Sequence, residues 1–142
     1  MKRVVLSNDH GAVELKFRVI AHLKSRGYEV LDLGVQDETR VDYPDMAEIA
    51  IKEWEKGGYE FGVLLCGTGI GISIAANRHA GIRCALLYDA FSAEMAKAHN
   101  DANFIALGGR VHYPTPVEHI IDAYLDAKFE GGRHAERVAK LK

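Results

Sequence analysis

The 142-residue sequence predicts a doubly wound α/β fold: one five-stranded parallel sheet, order 2-1-3-4-5, with helices on both faces. Three observations lead there. Short apolar runs alternate with segments of helical period along the whole chain. The runs are almost continuously hydrophobic, as strands covered on both faces must be. Right-handed crossovers then leave few topologies, of which this order is the simplest.

Residues 3–7 (RVVLS) are β-branched and stop at Asn8-Asp9, which makes them the first strand. The period then changes: Val13, Phe17, Ile20 and Leu23 share one helical face, and Gly27 stands at the C-cap. Residues 28–33 (YEVLDL) form the second strand. Pro44 opens a helix to about residue 56, with Ile49, Ala50 and Trp54 on one side and Gly57-Gly58 closing it. Residues 61–66 (FGVLLC) form the third strand, and a glycine-rich turn leads to a small-residue helix near 72–78. Residues 82–87 and 103–107 are the last two strands, separated by a helix over 90–98. Thr115, Pro116 and Glu118 read as a capping box with proline at the first helical position, before the apolar stripe Val117, Ile120, Ile121, Tyr124 and Leu125. A last helix is expected at about 133–141.

Composition narrows the function. Hydrophobic residues at 48% and charged residues at 27% are those of a globular chain, and the length is that of a single domain over 1–142. Eighteen Lys and Arg against 20 Asp and Glu give a net charge of −2, without the basic excess of a nucleic-acid binder. No apolar run approaches the roughly 20 residues of a membrane span, and the first ten residues do not read as a signal peptide. Two cysteines make no disulfide framework. The expectation is a cytoplasmic protein with neither membrane nor nucleic-acid partner.

In a doubly wound sheet, ligands bind at the carboxyl ends of the strands, where the order reverses between strands one and three. Two segments fall there: Asn8-Asp9-His10-Gly11, and Cys66-Gly67-Thr68-Gly69-Ile70-Gly71. The alternate glycines bring backbone amides close to a ligand at a helix N-terminus, a nest for an enediolate oxyanion or a phosphate. No Gly-Lys-Ser/Thr follows, so the turn is not a P-loop. Ile72 stands where a dinucleotide fingerprint needs its third glycine. Cys66 ends its strand where a helix dipole favours thiolate, although a buried structural cysteine in a tight turn is the plainer alternative. Cys84, mid-strand, is expected to be inert core. Asp9 is either a turn cap or a functional carboxylate, and His10 beside it is either solvated or functional.

His99-Asn100 follows a helix, where histidine is either an electrostatic cap or an acid–base group working near neutral pH. His22, His79, His112, His119 and His134 are expected in surface or structural roles, and the spacings imply no metal site. Arg133 and Arg137, four apart after Gly131-Gly132, suit a phosphate, against the alternative of a solvated basic tail. Arg110, after the fifth strand, is a third candidate.

The segments SNDHGAVELK, VDYPD, CGTGIGISIAANRHAGIRCA, AHNDANFIALGGR and FEGGRHAERV together resemble the ribose-5-phosphate isomerase type B family, which includes galactose- and allose-6-phosphate isomerases. The resemblance runs over essentially the whole chain. It implies a flavodoxin- or Rossmann-like fold and aldose–ketose isomerisation through a cis-enediolate, without cofactor or metal. It implies Cys66 as the base between C1 and C2, Thr68 assisting at the substrate oxygens, and the amides of Gly67, Gly69, Ile70 and Gly71 as the anion hole. Some members carry a glutamate base a few residues on, and residues 73–76 here contain none. By the same resemblance Asp9 and His99 open the furanose ring. His10, Arg110, Arg133 and Arg137 bind phosphate, and Tyr43 and Asn100 position the sugar. It also implies a homodimer whose sites are shared, with a tetramer as a further state and the C-terminal helix completing a site. The substrate is expected to be ribose 5-phosphate, with ribulose 5-phosphate as product, in pentose phosphate metabolism. The alternatives are a hexose 6-phosphate isomerase, or a flavodoxin-like module that binds a nucleotide or phosphate.

Overall fold

The computed structural model describes residues 1–142. The strands are β1 (Lys2–Asn8), β2 (Tyr28–Asp32), β3 (Phe61–Cys66), β4 (Cys84–Leu86) and β5 (Phe104–Gly108). The helices are α1 (Val13–Ser25), α2 (Tyr43–Trp54), α3 (Ile70–Asn77), α4 (Ala90–Ala98), α5 (Val117–Asp126) and α6 (Arg133–Val138). All pairings are parallel. Alternation along the strands divides the core. Val4, Leu6, Val63, Leu65, Ile105 and Leu107 face α1, α4 and α5. Val5, Leu64, Cys66, Phe104 and Ala106 face α2 and α3.

The sheet order is β2-β1-β3-β5-β4, which corrects the expected 2-1-3-4-5 at its last two places. Handedness explains the exchange. Ala93 and Ala96 place α4 on the same face as α1 and α5. A right-handed crossover on that face carries the chain back toward β1, so β5 inserts between β3 and β4. Burial agrees: β5 is buried at every residue, whereas β4 is three residues long and only partly covered, an edge strand.

Several ends differ from expectation. Pro116 adopts φ −53° and ψ 139°, outside the helical region, so it is the N-cap of α5 rather than its first residue. Thr115 then precedes the N-cap and Glu118 is the second helical residue, so neither holds a capping-box position. The box in this chain is on α4, where Asp89 accepts from Ser92 N at 2.7 Å and Ser92 Oγ accepts from Asp89 N at 3.1 Å. The last helix ends at Val138, short of 141.

Lys16 is among the largest fully buried side chains. Its ammonium pairs with Asp32 at 3.2 Å and donates to the Val35 carbonyl. Asp32 also accepts from Gly34 N and from Gln36 Nε2, both at 3.0 Å. The carbonyl of Val35 accepts a further bond from Asn8 Nδ2 at 3.3 Å. The buried cation thus fastens the segment after β2 to α1, and Asn8 ties the same carbonyl to the end of β1. Removing one partner of a buried pair strands the other, so Lys16→Met should lower unfolding stability by about 3 kcal/mol. Lys52→Ala, which loses only an exposed pair with Glu48, should cost less than about 0.5 kcal/mol. Urea unfolding at fixed protein concentration measures both.

Candidate active site

The site forms where β1 and β3 lie side by side and their chains leave toward opposite faces, the first into α1 and the second into α3. Asp9 N donates to Leu65 O at 3.0 Å, which brings the turn after β1 against the end of β3. Gly109 N donates to Cys66 O at 2.8 Å and Arg110 N to Gly67 O at 2.9 Å, which adds the turn after β5. The three turns meet at backbone distance. A methyl group on Gly109 would lie 2.7 Å from Ala12 Cα.

Cys66 is 4% exposed, and its Sγ accepts a hydrogen bond from Gly69 N at 3.1 Å. Thr68 Oγ1 accepts from Ile70 N at 3.1 Å. Two of the four expected anion-hole amides, those of Gly69 and Ile70, therefore have partners within the turn. Gly71 N–H belongs to the unpaired first turn of α3. The Tyr43 ring covers Gly71 so closely that a Cβ there would lie 2.7 Å from Tyr43 Cζ. The Arg110 guanidinium lies over Gly67, 3.2 Å from where its Cβ would be.

Asp9 is 6% exposed and does cap a turn, its Oδ1 accepting from Gly11 N at 2.8 Å. No protein donor reaches its Oδ2. His10 Nδ1 accepts from Val41 N at 3.2 Å, so the ring proton sits on Nε2, which is left to donate. Depressions of about 430 Å3 and 280 Å3 flank His10, the first walled by Asp9 and Tyr43, the second by Gly11 and Arg110. Burial pushes the Cys84 thiol up to about 12, with Cys66 adding to the shift, as expected for inert core.

Ten of the expected residues thus share one crevice: Asp9, His10, Tyr43, Cys66, Gly67, Thr68, Gly69, Ile70, Gly71 and Arg110. His99, Asn100, Arg133 and Arg137 do not join them within one chain. Helix α4 runs against the strands for nine residues, about 13 Å, and delivers His99 to the amino end of the sheet. Glu130 N donates to Ala98 O at 2.9 Å, and α6 packs beside the same end. Asp9 and His99 therefore do not meet within one chain. The largest cavity, about 610 Å3, also lies at that end, lined by Asn77, Arg83, Asn100 and Lys142 among others.

Two residues near His99 were given no part in the site by the sequence reading. His134, expected at the surface or in a structural role, is 7% exposed and stacks on His99 with centroids 4.0 Å apart. Glu130 lies within 3.6 Å of both rings. Their four-residue spacing was visible, but the glycine pair between them hid that it would close on His99.

The model of the ribose/galactose isomerase family matches residues 4–141. Among characterised relatives, the chain is 44% identical to ribose-5-phosphate isomerase B of Escherichia coli over 141 residues, 99% of this chain and 95% of that one. It is 39% identical to the galactose-6-phosphate isomerase subunit LacB of Clostridium acetobutylicum over 93% of this chain and 76% of that one. The solved ribose-5-phosphate isomerase B of Clostridium thermocellum superposes with a TM-score of 0.92 at 44% identity, covering 97% of this chain and 93% of that one.

The packing of the turns sets an order of tolerance. Gly109→Ala drives a methyl into the backbone of Ala12 and should cost at least about 2 kcal/mol in unfolding stability. Gly71→Ala meets only the tip of the Tyr43 ring, which is 41% exposed and free to swing, and should cost less than about 1 kcal/mol. Thermal unfolding of the two variants measures the contrast.

Proposed function

Because the chain belongs to the ribose/galactose isomerase family, we propose that it interconverts ribose 5-phosphate and ribulose 5-phosphate through a cis-enediolate. The observation that carries the reading is Cys66 at the mouth of an amide nest, with Tyr43, His10 and Arg110 around it. A proton beside a carbonyl is weakly acidic until the carbonyl oxygen is polarised, so a base alone is insufficient. In the open-chain aldose, Cys66 Sγ takes the proton from C2 and returns it to C1. Thr68 moves the proton between the oxygens on C1 and C2. The nest amides lower the energy of the enediolate, where one such donor is worth about 10²–10³ in rate. His10 and Arg110 hold the remote phosphate, turning binding energy into alignment of C1 and C2. Base, nest and cations all come from the polypeptide, so the reaction needs no cofactor or metal and should continue in excess chelator.

In this reading the site is completed by a second copy. The partner subunit's His99 opens the furanose ring with Asp9, its Asn100 positions the sugar, and its Arg133 and Arg137 bind the phosphate. Support comes from the placement of those residues at the far end of their own chain. The exposed apolar residues Ile70, Ile74, Tyr88 and Phe91 support it too, because they need a cover. No helix is long and apolar enough to cross a membrane. Both cysteines are unpaired, and a working thiol suits the reducing cytoplasm. The likeness to a galactose-6-phosphate isomerase subunit keeps a hexose 6-phosphate as the second reading. A panel of pentose 5- and hexose 6-phosphates separates the two, with the highest kcat/KM expected for ribose 5-phosphate.

Cys66→Ala should lower kcat by about 10²–10⁴-fold while leaving sugar-phosphate binding within a few fold, because a base acts only in the transition state. Near-normal turnover would make Cys66 structural. Arg137→Ala should weaken substrate binding about 10- to 100-fold and blunt competition by inorganic phosphate, with Lys140→Ala as the silent control. Mixing the Cys66→Ala and Arg137→Ala proteins tests the shared site directly. In a symmetric dimer the mixed pair rebuilds one intact site, so activity should return to about a quarter of the parent's. No recovery after subunit exchange would place the whole site in one chain.

A further inference from the structure

At the amino end of the sheet, three side chains from two elements and a loop form a group for which the isomerase mechanism above has one use only, His99. His99 is the C-cap of α4, its amide donating to Met95 O at 2.9 Å. Glu130 N bonds Ala98 O, which ties the chain after α5 to the same helix end. Gly131 and Gly132 follow with φ of +68° and +55°, left-handed values that reverse the chain without a side-chain clash. The reversal returns His134 against His99, the rings 4.0 Å apart between centroids and 12° from parallel. Glu130 lies between the two Nε2 atoms, Oε2 at 3.6 Å from His99 and Oε1 at 3.4 Å from His134. The His134 side chain is 8% exposed and that of His99 37%, so one ring is a buried platform and the other meets solvent.

These three residues also have the composition of a metal site, their ligand atoms lying within 4.8 Å of one another. The stacking argues for another use. Two near-parallel rings one above the other cannot both aim an in-plane lone pair at a single ion. A stack does suit the holding of one ring plane.

We propose that His134 and Glu130 are positioning residues for His99: the buried ring fixes the plane of the exposed one, and the carboxylate fixes its rotation. The proposal rests on the reading of His99 as the group that opens the furanose ring, and deepens it. An imidazole on the last residue of a helix has free rotation about two side-chain bonds. Ring opening needs it aimed at the ring oxygen or anomeric hydroxyl, and a misplacement of about 1 Å can cost 10²-fold in rate. Charge favours the same assignment. Burial, then the neighbouring His99 and Arg133, hold the His134 ring below the usual histidine range, with Glu130 opposing and Arg137 adding slightly. The depressed value favours the neutral His134 ring, which adds no second charge beside His99. The sign follows from the depressed value: this support is present above the ordinary histidine range and is lost as pH falls through the lowered one.

The experiment compares His99→Asn, His134→Ala, His134→Phe and Glu130→Gln on ribose 5-phosphate, which is mostly cyclic, and on ribulose 5-phosphate, which closes no furanose ring. His99→Asn should lower kcat for ribose 5-phosphate more than for ribulose 5-phosphate. His134→Ala should show the same asymmetry in kcat, about 10- to 100-fold in the first direction with the KM for ribose 5-phosphate within threefold, while the KM for ribulose 5-phosphate rises in step because the fixed equilibrium constant ties the two kcat/KM values. His134→Phe, flat and uncharged, should restore most of the loss, and Glu130→Gln should fall between. Thermal unfolding of each variant separates a general loss of fold. If His99→Asn itself shows no asymmetry, the ring-opening reading fails. If His99→Asn shows it and His134→Ala does not, or loses both directions equally, the positioning role is overturned. Failure of His134→Phe to restore activity would also overturn it, because the ring nitrogens rather than the platform would then matter.

Discussion

Three turns pack backbone against backbone at the carboxyl end of the sheet, and the rest of the molecule is arranged around that contact. The segments after β1, β3 and β5 meet through Gly11, Gly67 and Gly109, with no room for a Cβ at Gly109 beside Ala12. Side chains of ordinary size there would spread the turns and separate Asp9 from Cys66. Because the turns touch, their amides are spent on one another's carbonyls: Asp9 on Leu65, Gly109 on Cys66, Arg110 on Gly67. What remains is the small set of donors at the start of α3, aimed outward. The walls of the crevice are therefore held to one another by backbone hydrogen bonds.

Backbone bonding on one side is matched by anchoring on the other. The segment from Leu33 to Asp42 has little secondary structure, yet it carries Val41, whose amide sets the tautomer of His10, and leads into Tyr43. The buried Lys16 ammonium compensates by joining Asp32, Val35 and α1 in one hydrogen-bonded cluster. A cation in that place is costly to desolvate, but the cluster satisfies it. A hydrophobic residue would pack, but would leave the Val35 carbonyl one donor short and Asp32 without its counter-charge. The Asn8 Oδ1 and Ser7 Oγ atoms nearby have no partner, so the end of β1 is polar beyond what its own hydrogen bonds use.

The two ends of the sheet carry the two groups of residues that the proposed isomerisation would use. The carboxyl end holds Cys66, the glycine turn that follows it, His10 and Arg110. The amino end holds His99, Asn100 and the two arginines of α6. A parallel sheet separates such groups by the length of a helix, and only symmetry between copies would bring them together.

Much of this was legible in the sequence. Period changes placed all five strands and all six helices to within a few residues, because near-continuous apolar runs and 3.6-residue stripes are local signals. The crevice of Asp9, His10 and Cys66–Gly71 was legible too, since the switch point follows from the order of the first three strands alone. Tertiary structure decided what local pattern does not encode. Which face α4 chose reversed the last two strands, and that choice depends on Ala93 and Ala96 finding α1 and α5 rather than α2 and α3. The burial of Lys16 beneath β2 depended on a partner sixteen residues away. The stack of His134 on His99 depended on a left-handed pair of glycines closing a loop of unknowable direction. In each case the energy resides in a contact between distant segments, and such a contact leaves no periodic trace in the chain.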